Sequence, residues 1–251
     1  HDAGLDIRGS DMAESSNTLT LRERGIPIHI GHSADNVTDD ISFVIRTAAV
    51  HDDNPEVHEA HRRGIPVFER TQAWGALMRG YQNALCISGT HGKTTTTSMC
   101  THIMMAAEKD PTVMIGGTLP LLKACHRVGK GNTIIMESCE YYNSFLALNP
   151  TIAVVLNIEA DHLDFFKDLE DIKHSFRCFA ERVPAETGTV IANYDDANTM
   201  DALRGIARKV ITFGLNAKAD VYAQNIVHRG SVSEFDIYHR GNYFARVTLH
   251  V

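Results

Sequence analysis

The run Cys86-Ile87-Ser88-Gly89-Thr90-His91-Gly92-Lys93-Thr94-Thr95 lies between an apolar stretch, Ala84–Ile87, and a helix-forming stretch from Thr94 to about Ala107. A buried strand, a glycine turn and a helix in direct succession leave few architectures open. The glycines let backbone N–H groups turn inward around a polyphosphate, and the helix start adds partial positive charge. Lys93 is spaced to reach the terminal phosphates, and the Thr94 hydroxyl to coordinate Mg²⁺. Gly89, Thr90, His91, Gly92, Lys93, Thr94 and Thr95 are therefore the candidate ATP-binding residues. The eight-residue pattern G-x-x-x-x-G-K-[ST] is not met, because Ile87 stands where its first glycine would be. The rival is an ordinary glycine-capped β–α turn. Against it, the hydroxyl run Thr94–Ser98 is costly in a helix interior and suits a ligand-lined helix start.

The flanking sequence predicts an α/β fold. Upstream, strand candidates Ile28–Ile30, Ile41–Ile45 and Ile65–Phe68 alternate with helix candidates Thr18–Arg24, Pro55–Arg63 and Gln72–Arg79, each stopped by a glycine. Such β-then-α units imply a parallel sheet whose ligands bind at the carboxyl ends of its strands. Downstream, strands are expected at Thr112–Ile115, Thr133–Met136, Ile152–Asn157, Thr189–Ala192 and Val210–Phe213, with a long helix at Leu169–Arg182. From Asp220 the pattern alternates as an antiparallel extension, with turn signals at Gly230-Ser231 and Gly241-Asn242.

A net charge of −7 over 251 residues argues against a nucleic-acid partner. The five cysteines are scattered without a C-x-x-C pair, which suits reduced thiols. No apolar run approaches the roughly 20 residues needed to span a bilayer. The expectation is a soluble cytoplasmic protein without a membrane partner.

Two further segments carry acidic and imidazole groups. Glu137-Ser138-Cys139-Glu140 closes one strand run, and Asn157-Ile158-Glu159-Ala160-Asp161-His162 closes the next. Taken as parallel neighbours, these ends place Glu140 and His162 where they could share a metal with Thr94. Spacing alone leaves each open between that role and a solvated carboxylate or a core histidine. The phosphate loop in the same sheet tips the reading toward function. His58-Glu59-Ala60-His61 has i,i+3 spacing rather than the i,i+4 of a zinc helix, and is expected to be a polar helix face.

Together these residues resemble the Mur ligase family. The resemblance rests on Gly89–Thr97, on Glu137-Ser-Cys-Glu140 leading to Ser144-Phe145-Leu146, and on Asn157–Asp164. Gly9-Ser10-Asp11, Thr47–Val50 with Asn54-Pro55-Glu56, and Gly116-Gly117 support it, so it runs along essentially the whole chain. It implies a Rossmann-like parallel-sheet domain binding a UDP substrate at residues 1–82, incomplete at its start. A P-loop central domain at 83–251 with an antiparallel strand extension follows, incomplete at its end. It implies an ATP-dependent carboxylate–amine ligase of peptidoglycan-precursor synthesis, acting on UDP-N-acetylmuramate and L-alanine through an acyl phosphate. By similarity, Thr94 and Glu140 would hold one Mg²⁺ (or Mn²⁺), His162 would help hold a second, and Lys93 would serve catalysis with them. Ser10, Asp11, His32 and the turn at Thr47 and Ala48 would lie near the uridine diphosphate or sugar.

The family's usual E-A-D-E-S-D becomes Glu-Ser-Cys-Glu-Tyr-Tyr here, which keeps the outer glutamates and loses acidic positions at Cys139 and Tyr142. A first Gly-rich β–α unit, an adenine-pocket segment and an amino-acid-bringing C-terminal domain are expected outside this span, so turnover by this span alone is not expected. One alternative is a recycling ligase that joins a whole tripeptide to UDP-N-acetylmuramate. Another is a non-catalytic nucleotide-binding module, against which Glu140 and His162 at metal positions argue.

Overall fold

A computed structural model describes residues 1–2, 4–47 and 49–250. The chain divides into two compact units, His1–Trp74 and Gly75–Val251. The first unit runs through β1 (Gly9–Asp11), α1 (Ser16–Glu23), β2 (Ile28–Ile30), β3 (Val44–Arg46), α2 (Pro55–Arg62) and β4 (Val67–Glu69). Helix α3 (Arg70–Met78) then spans the division. Strands β1 and β2 pair in parallel, as do β3 and β4. The helix starts follow local chemistry. Ser15 caps α1 in a reciprocal box with Thr18, and Asn54 caps α2 just ahead of Pro55. Gly25 and Gly64 sit at positive φ just past α1 and α2, as a glycine stop requires.

Two expectations in this unit change. The strand expected from Ile41 begins only at Val44, because the Ile41 N–H closes a turn onto the Thr38 carbonyl. His58 and His61 are exposed as expected, but Glu59 between them is buried. Hydrogen bonds from Arg62 first, and then Arg63, offset that burial and hold its carboxyl down to about 2.

The second unit continues with β5 (Asn83–Ser88), α4 (Lys93–Ala106), β6 (Thr112–Leu119), β7 (Ala124–Arg127), β8 (Thr133–Glu137) and β9 (Ile152–Val155). It then runs through α5 (Leu169–Ala180), β10 (Thr189–Asn193), α6 (Ala197–Ala202), β11 (Lys209–Gly214), β12 (Val221–Arg229), β13 (Val232–His239) and β14 (Asn242–His250). One sheet takes all ten strands in the order β14-β13-β12-β11-β10-β9-β5-β8-β6-β7. From β12 across to β6 every pair is parallel, whereas β7, β13 and β14 add antiparallel strands at the two edges. The α/β class and the antiparallel extension from Asp220 are as the sequence predicts. Strand β7 and the short helix α6 are additions, since neither has a long periodic run. Among the described residues no helix is long and apolar enough to cross a membrane.

Strand β5 owes its apolar run to its place. It is paired on both edges and covered on both faces, so everything from Ala84 to Ser88 is buried. The strands ending at Glu137 and near Asn157, expected from sequence to be direct neighbours, are therefore kept apart. Strand β5 lies between them. Helix α5 is capped by Asp168 and buries Ile172, Phe176 and Phe179. Phe145 stacks on Phe179 at 4.6 Å and meets Phe176 edge-on at 5.3 Å. That packing anchors the 3-10 segment Tyr141–Ala147, which follows Glu140.

Gly75 of α3 lies against the same segment. A Cβ there would sit 2.1 Å from the Ala147 carbonyl oxygen, and the Asn149 amide already donates to the Gly75 carbonyl at 2.8 Å. Gly75→Ala is expected to destabilise the protein by about 1–3 kcal/mol, because backbone must move to admit the methyl. Thermal unfolding would then fall by roughly 2–4 °C per kcal/mol. An unchanged Tm would mean that the helix slides away freely.

Candidate active site

The ladder of β5 does not stop at its last residue. Ser138 N–H donates to Ile87 O at 2.9 Å and Leu156 N–H to Ser88 O at 3.0 Å, and Thr90 N–H then reaches Asn157 O at 3.0 Å. The loop is thus held by the chain that leaves β9. Two side chains complete the clamp. Asn157 accepts from His91 N–H at 2.8 Å and donates to His91 O at 3.1 Å, while Thr90 Oγ1 accepts from Glu159 N–H at 2.9 Å. On the far side, Asn193 donates to Leu156 O, Asn198 donates to Ile158 O, and Asp196 accepts from Ile158 N–H. Gly89 has φ +148°, and a Cβ would lie 2.9 Å from Leu156 Cβ. Only glycine lets the loop approach β9 so closely.

Helix α4 opens on Gly92, at φ +82°, with no side-chain cap. Its first-turn N–H groups are therefore left for an external acceptor. Thr94 and Thr95 are exposed at this opening, beside His91 and Gly92. Farther along the run the hydroxyls bond back to the helix. Thr97 is buried and donates to Lys93 O, and Ser98 donates to Thr94 O.

Lys93 folds back over its own loop. Its ammonium donates to Gly89 O at 2.5 Å, to Thr90 O at 3.1 Å, and to both oxygens of Glu140 at 3.0 and 3.1 Å. Glu140 is only 2% exposed, so this cation is what keeps its charge tenable there. His162 Nε2 lies 4.0 Å from the same carboxylate. The His162 backbone has φ +53°, with the Phe165 and Phe166 N–H groups donating to its carbonyl. Its ring stacks on Tyr141 at 4.3 Å, and the Tyr141 hydroxyl donates to Asp164. That bond raises the Tyr141 phenol above its ordinary range. Cys139, on the neighbouring turn, is pushed up by burial.

Lys93, Glu140 and His162 are therefore brought together, but Thr94 meets a different carboxylate. Its hydroxyl donates to Glu137 Oε1 at 2.8 Å, and Gly116 N–H donates to Glu137 Oε2 at 2.6 Å. Neither Glu137 nor Asn157 was a candidate from sequence. Both lie in the quoted motifs, and their position at the strand ends flanking β5 was the available signal.

Strand ends also gather residues in the first unit. Ser10 on β1 and His32 after β2 approach to 3.2 Å, joined through Glu56 at the start of α2. Asp11 instead accepts from Ala13 N–H, and Thr47 closes a turn with Val50. Among the described residues no hydrogen bond ties either to the Ser10 cluster, and Ala48 lies outside the described residues.

Comparison with known proteins bears on this arrangement. The chain matches the Mur ligase middle domain over residues 87–250 and the Mur ligase family catalytic domain over residues 1–82. A UDP-N-acetylmuramate–L-alanine ligase of Agathobacter rectalis is 45% identical over 228 residues, covering 91% of this chain and 50% of that protein. The crystal structure of a UDP-N-acetylmuramate-alanine ligase from Thermotoga maritima superposes with a TM-score of 0.81 at 28% identity, covering 100% of this chain and 56% of that one. A UDP-N-acetylmuramate:L-alanyl-gamma-D-glutamyl-meso-diaminopimelate ligase from Neisseria meningitides gives 0.84 at 23% identity, over 100% of this chain and 81% of that one, and shares the fold. The chain spans about half the length of the curated relatives it matches.

A Cβ on Gly116 would lie 2.8 Å from Glu137 Oε1. Gly116→Ala is therefore expected to push this carboxylate off Thr94 while leaving the buried strands alone. Calorimetric titration with Mg-ATP should show binding weakened about tenfold, the worth of one charge-assisted hydrogen bond. Unaltered affinity would show that the Thr94–Glu137 contact does not matter to the ligand.

Proposed function

This chain belongs to the Mur ligase family, and from that premise we propose that it serves an ATP-dependent ligase joining L-alanine to UDP-N-acetylmuramate. The observation that carries the reading is the uncapped start of α4 with Lys93, Glu140, Thr94 and Glu137 gathered around it. The relatives named UDP-N-acetylmuramate–L-alanine ligase, at 42–45% identity, favour this substrate pair over a tripeptide acceptor.

In this reading the phosphates of ATP lie on the backbone N–H groups of Gly89–Thr95. Lys93 leaves its loop carbonyls for the terminal phosphate. A lactyl carboxylate oxygen attacks the γ-phosphorus as the bond to ADP breaks. The amine of L-alanine then attacks the acyl carbon, inorganic phosphate leaves, and the amine gives up its proton. Reactions of this kind depend on positioning and charge neutralisation more than on covalent help from the protein.

The donor set fits Mg²⁺ or Mn²⁺. Hydroxyl and carboxylate oxygens with one imidazole are the donors a hard cation takes alongside waters and phosphate oxygens. The Thr94 hydroxyl and the Glu137 carboxylate would hold one ion, with Glu140 and His162 beside Lys93 serving a second. Such an ion would neutralise charge on the phosphates. We assign residues 1–82 to the UDP substrate, with Ser10 and His32 as its contacts and Asp11 and Thr47 near it, and residues 83–251 to ATP. The five free thiols fit a cytoplasmic setting.

In the whole protein, phosphate release from Mg-ATP and UDP-N-acetylmuramate should depend on L-alanine rather than glycine, L-serine or a stem tripeptide. Dependence on the tripeptide alone would move the protein to the recycling reaction, and no release with any acceptor would sink the ligase reading. Lys93→Ala would also strand a buried carboxylate, at a cost of about 3–5 kcal/mol. Lys93→Arg is the cleaner variant, since it keeps a cation beside Glu140. It is expected to fold yet lose at least about 100-fold in turnover, because a planar fork does not replace a point charge. Wild-type rates in Lys93→Arg would remove Lys93 from the mechanism.

A further inference from the structure

Glu56 stands at the start of α2 with its carboxylate largely out of water, its side chain 15% exposed. Among the described residues, each hydrogen bond of that carboxylate is one it receives. Asn36 Nδ2 donates to Oε1 at 2.6 Å, the Ser10 hydroxyl donates to Oε2 at 2.5 Å, and His32 Nδ1 lies 3.3 Å from Oε2 and 3.2 Å from Ser10 Oγ. Asn36 also donates to the Gly31 carbonyl, which holds the amide in place. Ser10 lies on β1 beside β2, and His32 follows β2 after Gly31, so both stand toward the carboxyl ends of a parallel pair.

This geometry dictates hydrogen-bond polarity. A carboxylate can only accept, so it takes the single proton of the Ser10 hydroxyl, and the serine oxygen is left to accept from anything else. It likewise draws a ring proton of His32 to Nδ1, 3.3 Å away, and with Nδ1 as the donor Nε2 is the ring nitrogen that accepts. Two acceptors backed by a negative charge are a poor place for a phosphate. They suit a neutral group that brings its own N–H or O–H.

We propose that Glu56 is a positioning residue that fixes Ser10 and His32 as acceptors, so that this cluster selects the hydrogen-bond-donating part of a nucleoside. That part is the imide N–H of uracil or a ribose hydroxyl, and the diphosphate lies elsewhere. The inference rests on the reading of Ser10 and His32 as contacts of a uridine diphosphate substrate. Asn36 supports Glu56 from behind, and neither residue need touch the ligand. A glutamine at position 56 keeps the shape but offers an N–H₂ group, which turns the Ser10 proton outward and makes that hydroxyl a donor.

The test is calorimetric titration of the chain with UDP, N3-methyl-UDP, 2′-deoxy-UDP and 3′-deoxy-UDP, repeated for Glu56→Gln. The wild type should bind UDP and discriminate at least tenfold against whichever analogue lacks the selected donor, the methylated base or one of the deoxy sugars. Glu56→Gln should bind UDP 10- to 100-fold more weakly, and the discrimination should collapse with it. A merely structural role would lower affinity for all four ligands by one factor and leave their ratios intact. That result, or unaltered UDP affinity in Glu56→Gln, overturns the proposal, as does a wild type that treats all four ligands alike. No binding of UDP by the wild type overturns the substrate reading and the proposal with it. Should Glu56→Gln not fold, Ser10→Ala decides. It leaves Glu56 paired with Asn36 and His32, and it must reduce the same discrimination if the serine oxygen is an acceptor for the ligand.

Discussion

A carboxylate that is 2% exposed has to be met by a cation, and at Glu140 the cation is Lys93. Much of the second unit's site is arranged around that necessity. The Lys93 ammonium has three protons, and the Gly89 carbonyl, the Thr90 carbonyl and Glu140 take all of them. The loop is therefore closed upon its own lysine. Any anion entering the turn would compete with two backbone carbonyls for Lys93, while the N–H groups at the start of α4 carry no side-chain cap. Removing either member of the pair strands the other, so charge and stability are coupled at this point.

The backbone around the pair is held in sparsely populated conformations. Tyr142, Asn143 and His162 all adopt positive φ without being glycine, which costs energy unless the surroundings over-determine them. Those surroundings are visible. The Asn143 N–H donates to Glu140 O and its side chain accepts from Ser175 on α5, while two successive N–H groups close onto His162 O. Phe145 locks the segment against Phe176 and Phe179. The core that buries α5 is thus also what keeps Glu140 and His162 in place. The ring of Tyr141 lies on His162 and shares this anchorage.

Several features were legible early because they are local. A strand, a glycine turn and a helix at residues 84–107 follow from neighbouring residues alone, as do the glycine stops at Gly25 and Gly64 and the alternating tail after Asp220. Other features were hidden for a stated reason. Glu59 looked like part of a polar face, because nothing in the spacing of His58 and His61 reveals that Arg62 and Arg63 bring enough charge to bury it. Glu137 and Glu140 end the same run, and nothing in their spacing tells which of them meets Thr94. The role of Glu56 is hidden in the sequence because its partners are 20 to 46 positions away.

The sequence by itself determined that this chain forms a parallel α/β sheet with a phosphate loop at the end of one strand. Glycine at positive φ, helix capping and apolar periodicity are interactions among residues close along the chain. Only the tertiary structure decided which acidic group meets which partner. Thr94 and Glu137 are 43 positions apart, and Lys93 and Glu140 are 47 apart. Their pairing follows from β5 lying between β8 and β9, and that order is set by long-range packing of the sheet, to which no short stretch of residues has access.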